Sequence, residues 1–286
     1  MNIMKIPIII LNYNSSIDCR KCVKFLKRQE GVELEIVIVD NCSPREGEQE
    51  SIKSLCEEQG CTFLAASKNR GYNAGNNIGL HYATEKGYKY ALIANPDMEF
   101  PQTNYVARMV NVMEEKPEVA ACGSNILNVS GERQNPWIFS SIWEEFPVIV
   151  HIAKMLGKVR TPLPPKNCYC DILHGCCLMI NLPNISQYGF FDENIFLFCE
   201  EAILGKQIKI HGKKMYYLHD ATAIHAHVES AKGSVIKRYE LFWRSRRYYL
   251  KNYSGYNKLS IVFITIFQNI YVYGKILYFK LRRYYE

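Results

Sequence analysis

Asp97 lies at a position in this sequence that suggests chemistry. It follows the apolar run Tyr90–Ala94 and the chain breaker Asn95-Pro96. The run predicts a strand buried on both faces, and the proline ends it, so that the aspartate emerges at the carboxyl end of the strand. A carboxylate at that edge of an α/β sheet is placed to hold a hard cation against a phosphate. A turn aspartate that caps the next helix is the simpler alternative.

A polar loop, residues 68–77, suggests a second kind of chemistry. It is rich in asparagine, and Gly71 and Gly75 permit close approach of the backbone to a ligand. Amide groups beside a helix N-terminus suit an anionic phosphate. The loop lacks the glycine spacings of the dinucleotide-binding fold and of the P-loop, which argues against both.

Two adjacent carboxylates, Glu200 and Glu201, begin a predicted helix that runs to about His211. The helix dipole stabilises acidic residues in a first turn, which is a purely structural reason for the pair. An aromatic run, residues 196–198, leads directly into them, however, and apolar surroundings can tune a carboxylate into a general base. Both interpretations stay open at this point.

Alternating strands and helices position these groups within the first 125 residues. Apolar runs predict strands at 6–11, 34–39, 62–66 and 90–94. Helix signals predict helices that begin at Ser15 or Ser16 and that cover 51–59 and 74–86. This alternation predicts an α/β fold with a mostly parallel, doubly wound sheet. A further buried strand is expected within 171–181, after a proline-containing stretch, 128–168, that we interpret as a substrate-facing insertion or lid.

The composition is that of a folded protein, but its charge is unevenly distributed. The 286 residues are 48% hydrophobic and 22% charged, with a net charge of +7. Residues 232–286 contain twelve basic and two acidic residues, a net charge of +10, together with half of the 20 tyrosines. The shift predicts a boundary between a domain of residues 1–231 and a basic, aromatic helical tail of residues 232–286.

The cysteines and the N-terminus predict a cytoplasmic location. The eleven cysteines are odd in number and irregularly spaced, so we expect reduced, mostly buried thiols rather than a zinc site. The apolar run from Ile6 leads into Asn12-Tyr13-Asn14 rather than into a signal-peptide cleavage site. We expect no nucleic-acid binding, because residues 1–231 are net acidic and no recognition motif stands out.

With these elements placed, the chain resembles the family-2 glycosyltransferases of GT-A fold, and more narrowly the bacterial rhamnosyltransferase-like subgroup. The resemblance covers roughly residues 5–231. It rests on seven motifs, at residues 10–14, 38–43, 69–77, 94–97, 189–193, 200–201 and 225–230. It implies a GT-A catalytic domain, with a nucleotide-binding half (1–125) and an acceptor-binding half (126–231).

The resemblance implies a nucleotide-sugar site at the sheet edge. Asp40 would accept the imide N–H of a uracil or thymine base, so UDP- and dTDP-sugars both remain open. Rhamnose is the sugar that the resemblance favours, and other hexoses are not excluded. The other residues expected to border the donor are Leu11, Asn12, Asn14, Asn41, Asn69, Gly71, Asn73, Gly75, Asn76 and Asn95.

The resemblance also implies a divalent cation and a general base. Asp97 is assigned to Mn²⁺ or Mg²⁺, with either His225 or His227 as a further ligand of the metal or the diphosphate. Glu201 would take the proton of the acceptor hydroxyl, with Glu200 as the fallback. The chain departs from the family's pattern twice here, with Asn95 at the first position of the DxD motif and a glutamate in place of the usual aspartate base.

The implied function is inverting transfer of a sugar to a saccharide acceptor, either an oligosaccharide or a lipid-linked one, in surface-polysaccharide biosynthesis. A catalytically silent nucleotide- or carbohydrate-binding protein of the same fold is the alternative, because of the departures at the metal and base positions. A nucleotidyltransferase would need a basic, glycine-rich signature after the first strand, and Leu11-Asn12-Tyr13-Asn14 is neither.

The tail predicts contact with a membrane surface. A basic, aromatic helix is expected at 239–253, and an apolar stretch at 259–267 is interrupted by Ser260 and Thr265. We expect the strongly apolar part to be too short for the roughly 20 residues of a spanning helix. An interfacial helix on the inner face of the cell membrane fits better. Packing on the catalytic domain or a homodimer contact is the alternative.

Overall fold

The computed structural model describes residues 4–158, 162–226 and 235–285. Its strands are β1 (Lys5–Asn12), β2 (Glu33–Asp40), β3 (Thr62–Ala65), β4 (Tyr90–Ala94), β5 (Met98–Glu99), β6 (Val119–Asn128), β7 (Cys168–Cys170), β8 (Cys177–Asn181) and β9 (Lys214–His225). Its α-helices are α1 (Ser16–Leu26), α2 (Glu48–Gln59), α3 (Tyr72–Glu85), α4 (Tyr105–Glu115), α5 (Pro147–Met155), α6 (Leu182–Ile185), α7 (Glu200–Ile210), α8 (Val235–Asn252) and α9 (Lys258–Tyr285). Two 3₁₀ turns cover Ile142–Glu145 and Ser186–Tyr188.

All the strands belong to one sheet, in the order β3-β2-β1-β4-β8-β6-β9-β5, with β7 paired to β9. β1 is parallel to β2 and β4, and β2 is parallel to β3. β8, in contrast, is antiparallel to both β4 and β6. The predicted α/β fold is confirmed. The sheet is mixed, however, because the predicted parallel arrangement holds for its first four strands and gives way beyond β4.

Helices cover both faces of the sheet, which explains the continuous apolar runs of the sequence. Every residue of β4 is buried. One face packs against α1, α2 and α4, with Val23, Leu55 and Met109 in its core. The other packs against α3, α6 and α7, with Leu80, Ile185 and Leu204 in its core. The carboxyl ends of β1, β2 and β4 therefore meet at one edge of a rigid sheet.

The two helices of the tail, α8 and α9, pack on the rest of the protein. A third core contains Ile203 of α7, Tyr249 and Leu250 of α8 and Ile264 of α9. The proposed alternative to a membrane role, packing of the tail on the domain, therefore describes a real contact. Such a contact leaves the opposite face of α9 free to meet another surface.

The expectation that the tail is too short to span a membrane is wrong on length and composition. Within the described residues, Lys258–Tyr278 is a helical stretch of 21 residues with a mean hydropathy of 1.4, long and apolar enough to cross a bilayer. The polar residues that interrupt its sequence fall mainly on the packed face, where Gln268 is fully buried. In the sequence these polar residues interrupt the apolar stretch, and the sequence alone does not show that they lie on one side of the helix.

The eleven cysteines are all free thiols, and six of them are buried, which agrees with the expectation of reduced core cysteines. Helix boundaries differ slightly from the predicted ones. α2 begins at Glu48, whose carboxylate accepts hydrogen bonds from the backbone N–H and the hydroxyl of Ser16 (2.7 and 3.1 Å). This buried glutamate, rather than the side chain of Ser15, therefore caps the start of α1.

Candidate active site

The ends of β1 and β2 form a buried polar cluster. Asn12 lies opposite Asp40 in the sheet register, and both side chains are fully buried. Oδ1 of Asp40 accepts hydrogen bonds from Nδ2 of Asn12 (2.9 Å) and from the hydroxyl of Ser43 (2.6 Å), and its Oδ2 accepts the backbone N–H of Ser43 (3.1 Å). The same hydroxyl accepts the backbone N–H of Asn14 (3.0 Å). Asp40 thus fixes the loop after β2, and its contact with a base stays a prediction.

The glycines of the 68–77 loop make room for other parts of the protein. Gly71 has a φ of +99°, and a Cβ there would lie 2.1 Å from the carbonyl oxygen of Phe196. A Cβ on Gly75 would lie 2.5 Å from the Leu11 side chain. The space beside each glycine is therefore filled by the chain itself. This gives the two glycines a packing reason that does not depend on a ligand.

The asparagines of the same loop also make contacts within the chain. Asn69 accepts the backbone N–H of Gly71 (2.9 Å), and Nδ2 of Asn41 donates to Oδ1 of Asn69 (3.3 Å). On α3, Nδ2 of Asn73 donates to the carbonyl of Asp192 (2.6 Å), and Nδ2 of Asn76 donates to the carbonyl of Tyr72 (3.0 Å). The structure uses these amides to shape the edge of the sheet, and their contact with a phosphate stays a prediction.

Asp97 lies beside one of the two predicted histidines. β5 pairs with the end of β9, so that Met98 lies opposite His225. Oδ1 of Asp97 is 3.3 Å from Nε2 of His225. Residues more than 120 positions apart therefore meet at the carboxyl edge of β4, as the metal prediction requires. The other histidine, His227, lies outside the described residues.

A third potential ligand, His174, was missed by sequence reasoning. Its ring centroid is 5.3 Å from that of His225, and ligand atoms of His174, Cys176 and His225 lie within 4.8 Å of one another. His174 immediately precedes the turn into β8, and its backbone N–H donates to Oδ1 of Asn135 (2.6 Å). The sequence signal that could have found His174 is a histidine just before a buried strand. Only the antiparallel direction of β8 places the start of that strand beside the end of β4.

The donor set of this cluster fits a divalent cation. Asp97 supplies carboxylate oxygen and the two histidines supply imidazole nitrogen. Burial and the neighbouring Cys177 raise the pKa of the Cys176 thiol well above its usual value. Mixed oxygen and nitrogen ligands suit Mn²⁺ better than Mg²⁺, which prefers oxygen ligands and retains its waters.

Glu200 and Glu201 follow a sharply turned loop at the start of α7. Phe198 and Cys199 both have left-handed backbones, with φ of +71° and +67°. For residues other than glycine this conformation is unfavourable, so the surrounding contacts must hold it. Oε1 of Glu201 accepts the backbone N–H of Gly175 (3.2 Å), which ties the carboxylate to the segment that carries His174.

The two carboxylates have different surroundings. Burial, and next the charge of Glu201, raise the pKa of Glu200 from 4.5 to about 8. Its Oε2 is buried and accepts no hydrogen bond from any described residue. Burial likewise raises the pKa of the nearby Tyr72, whose hydroxyl donates to the Gly175 carbonyl (2.8 Å). Burial therefore favours the neutral form of Glu200.

Glu201, in contrast, lines a cavity of about 360 Å³ together with His174. The same cavity is lined by Trp137, Phe242 and Arg246. His174 thus belongs both to the metal cluster and to the cavity that contains the carboxylate. A substrate in this cavity would reach a carboxylate on one side and a cation site on the other.

Comparisons with known proteins identify relatives of this chain. A hexosyltransferase of low-salt glycan biosynthesis, Agl10 of Haloferax volcanii, is 26% identical over 199 residues, 68% of this chain and 59% of that protein. The rhamnosyltransferase WbbL of Escherichia coli K12 is 23% identical over 185 residues, 61% of this chain and 67% of that protein. The alignment with Agl10 thus covers less than two thirds of that relative's length.

Among solved structures, the fold is similar to that of the mannosyltransferase PcManGT of Pyrobaculum calidifontis, determined in complex with GDP-Man and Mn²⁺. The TM-score is 0.59 at 16% identity, over 92% of this chain and 68% of that one. The sequence model of glycosyl transferase family 2 matches residues 8–176, more than half of the chain. The chain described here therefore belongs to glycosyl transferase family 2.

Proposed function

We propose that this chain is an inverting glycosyltransferase that moves a sugar from a dTDP- or UDP-sugar to a saccharide acceptor in bacterial surface-polysaccharide biosynthesis. The observation that supports this most is the convergence of two sites at one edge of the sheet. His174 lies between the Asp97–His225 pair and the Glu201 carboxylate. Its ring contacts that of His225, and it lines the same cavity as Glu201.

In the proposed reaction the acceptor hydroxyl oxygen attacks the anomeric carbon from the side opposite the diphosphate. Glu201 takes the hydroxyl proton, the bond between the anomeric carbon and the diphosphate oxygen breaks, and the nucleoside diphosphate leaves. A divalent cation bound to Asp97, His174 and His225 would neutralise the charge that builds on the leaving group. Burial raises the pKa of Glu200 and so favours its neutral form, which is a reason to prefer Glu201 as the base.

The donor is assigned by chemistry and by similarity. The carboxylate of Asp40 suits the imide edge that uracil and thymine share, although it is fully buried here and Asn12 or Ser43 would have to shift. Rhamnose is the first candidate sugar because WbbL is a rhamnosyltransferase, and other hexoses follow from Agl10. Mn²⁺ is the cation that the nitrogen-containing donor set favours.

A thermal-shift screen of nucleotide sugars, with and without Mn²⁺, tests the proposal. The cognate donor should raise the Tm, and Mn²⁺ should increase the shift. Asp97→Ala should abolish the part that depends on Mn²⁺. Asp18→Ala, which changes a half-buried aspartate on α1 that pairs with Lys21, should leave it unchanged. A full Mn²⁺-dependent shift with Asp97→Ala would refute the cation assignment. Donor binding without transfer or hydrolysis of a labelled sugar would favour the silent binding protein.

The proposed location is cytoplasmic, at the inner face of the cell membrane. Exposed apolar residues of α9 support this, together with the net charge of +10 in residues 232–286. Because Ile264 and Gln268 are buried against the rest of the protein, we propose that α9 lies on the membrane rather than across it. An anionic lipid surface attracts each nearby lysine or arginine by on the order of 1 kcal/mol.

A further inference from the structure

A buried thiol lies beside the side chains that we propose as ligands of the cation. Cys176 is 2% exposed, and ligand atoms of His174, Cys176 and His225 all lie within 4.8 Å of one another. The backbone N–H of Cys176 donates to Nδ1 of His174 (3.2 Å), which holds the two residues side by side. The proposed reaction uses both histidines but not the sulfur. The thiol is therefore a potential metal ligand without an assigned role.

Asp97 extends the cluster to four ligands. Its Oδ1 is 3.3 Å from Nε2 of His225. Burial, then Cys177 and Asp97, raise the pKa of the Cys176 thiol, so the Asp97 carboxylate lies within electrostatic range of the sulfur. The complete set is one carboxylate oxygen, two imidazole nitrogens and one sulfur. These are the atom types that bind Zn²⁺ in proteins.

The distances suit a tetrahedral zinc ion after small movements. With bonds of about 2.0–2.3 Å to oxygen, nitrogen and sulfur, the ligand atoms of tetrahedral Zn²⁺ lie about 3.3–3.6 Å apart. The distance between Asp97 and His225 already agrees with this spacing. The other ligand atoms have to approach one another by at most about 1.5 Å per pair, which side-chain rotation can supply.

The sulfur separates zinc from the cation of the proposed reaction. Thiolate ligands favour Zn²⁺, whereas Mn²⁺ prefers oxygen ligands and ranks below Zn²⁺ in affinity for most nitrogen, oxygen and sulfur sites. Four protein ligands close a tetrahedral site, whereas a catalytic metal site keeps an open position for substrate. Zn²⁺ bound by all four side chains would therefore have no position for a diphosphate. Mn²⁺ bound by Asp97 and the two histidines would still have open positions.

The alternative role of Cys176 is that of a small apolar side chain in the core. It belongs to the core that packs against α1, α2 and α4. The neighbouring Cys177 belongs to the same core, and its sulfur lies 3.2 Å from the hydroxyl of Tyr105. Cys177 is not part of the ligand cluster. It is therefore a matched control for the effect of packing alone.

We propose that Cys176 turns the cation site into an inhibitory zinc site. Zn²⁺ binds to the sulfur together with the three proposed ligands of Mn²⁺ and excludes the nucleotide, whereas Mn²⁺ leaves the sulfur unbound. Zinc binding breaks the S–H bond of Cys176, forms a zinc–sulfur bond and releases the proton to solvent, without oxidation or reduction. This inference rests on the proposed function, because it concerns regulation of the cation site of that reaction.

Co²⁺ is the spectroscopic probe, because it substitutes for Zn²⁺ and a cobalt–thiolate bond absorbs in the near ultraviolet. Under reducing conditions the full chain should show this band, saturating at about one ion per chain, and Zn²⁺ should remove it. Cys176→Ser and Cys176→Ala should lack the band. Cys177→Ser should keep it, as should Cys168→Ser combined with Cys170→Ser. Absence of the band in the wild type, or its loss in the controls but not in the Cys176 variants, would overturn the proposal.

Calorimetry measures the consequence for the nucleotide. Zn²⁺ should bind the wild type at least about 100-fold more tightly than Mn²⁺, and Cys176→Ser should reduce this ratio at least about 10-fold. Saturating Zn²⁺ should abolish the Mn²⁺-dependent binding of UDP or dTDP. Nucleotide binding that persists with Zn²⁺, or an unchanged metal preference in Cys176→Ser, would contradict the inference.

The same measurements separate this inference from the proposed function. If UDP or dTDP binds with Mn²⁺ but the cobalt–thiolate band is absent, the inference fails alone. If the wild type binds neither nucleotide in the presence of Mn²⁺, the proposed function fails, whatever the cobalt spectrum shows.

Discussion

The neutral state of Glu200 predicts how stability depends on pH. Its pKa in the folded protein, about 8, lies above the ordinary 4.5 because the carboxyl is buried and adjoins the charge of Glu201. Between these two values the folded state binds up to one more proton than the unfolded state. The free energy of unfolding therefore falls as pH rises through this window. With a value of about 1.4 kcal/mol per pKa unit, this group alone removes about 3 kcal/mol between pH of about 5.5 and about 8.5.

Glu200→Gln keeps the shape of the neutral side chain and cannot ionise. The variant should resemble the wild type near pH of about 5 and exceed its stability by a few kcal/mol above pH of about 8. Urea unfolding at several pH values measures the difference. Glu57→Gln, an exposed residue on α2, is the control and should leave the pH dependence unchanged. If the free energy of unfolding depends on pH in the same way for Glu200→Gln and the wild type, Glu200 is ionised at neutral pH. Glu201 would then no longer be favoured over Glu200 as the base.

Four more measurements address the site and the surface. Glu201→Gln should lower kcat by about 10²–10⁴-fold with nearly unchanged donor affinity, and a nearly active variant together with an inactive Glu200→Gln would reverse the two roles. His174→Ala should weaken Mn²⁺-dependent UDP binding in calorimetry, and an unchanged Mn²⁺ effect would exclude it as a ligand. Tyr253→Phe removes a hydrogen bond to Asp192 and should cost about 1 kcal/mol in urea unfolding, whereas exposed Tyr13→Phe should cost nothing measurable. The full chain should float with anionic vesicles at low salt and less so at high salt, and serine substitutions at exposed positions 259, 266 and 270 should reduce flotation. Equal flotation of the substituted chain, or none by either, would leave α9 a packing role only.

The local pattern of apolar and polar residues was sufficient to predict the strands and helices in the first half of the fold. Strands β1, β2 and β4 are buried over most or all of their length, so their apolar runs were continuous and unambiguous. Asp97 was placed correctly at the end of β4 because Pro96 cannot continue a strand. Glu200 and Glu201 begin α7 as predicted, because the acidic pair and the apolar positions that follow it both indicate a helix.

The rest depended on long-range pairing, which local patterns do not encode. His174 reaches the metal cluster because β8 runs antiparallel between β4 and β6, and its short apolar run is compatible with either direction. Gly71 was interpreted as an approach for a ligand because the sequence does not show that Phe196 fills the space beside it. The contact between α5 and α9 was not predicted for the same reason, since the two helices are about a hundred residues apart in the chain.

The contacts between the tail and the loop that precedes α7 affect the order in which the protein can fold during synthesis. The hydroxyl of Ser245 on α8 donates to the Leu197 carbonyl (2.7 Å). Tyr248 of α8 and Tyr253, which directly follows α8, donate to Oδ2 of Asp192 (2.8 and 2.6 Å). These contacts brace the loop that leads into the carboxylates. During synthesis the edge formed by β1, β2 and β4 can form as soon as these strands leave the ribosome, whereas the loop before Glu201 is braced only after α8 and Tyr253 have emerged. If the proposed function holds, a nascent or truncated chain would bind a nucleotide-sugar before it could transfer the sugar.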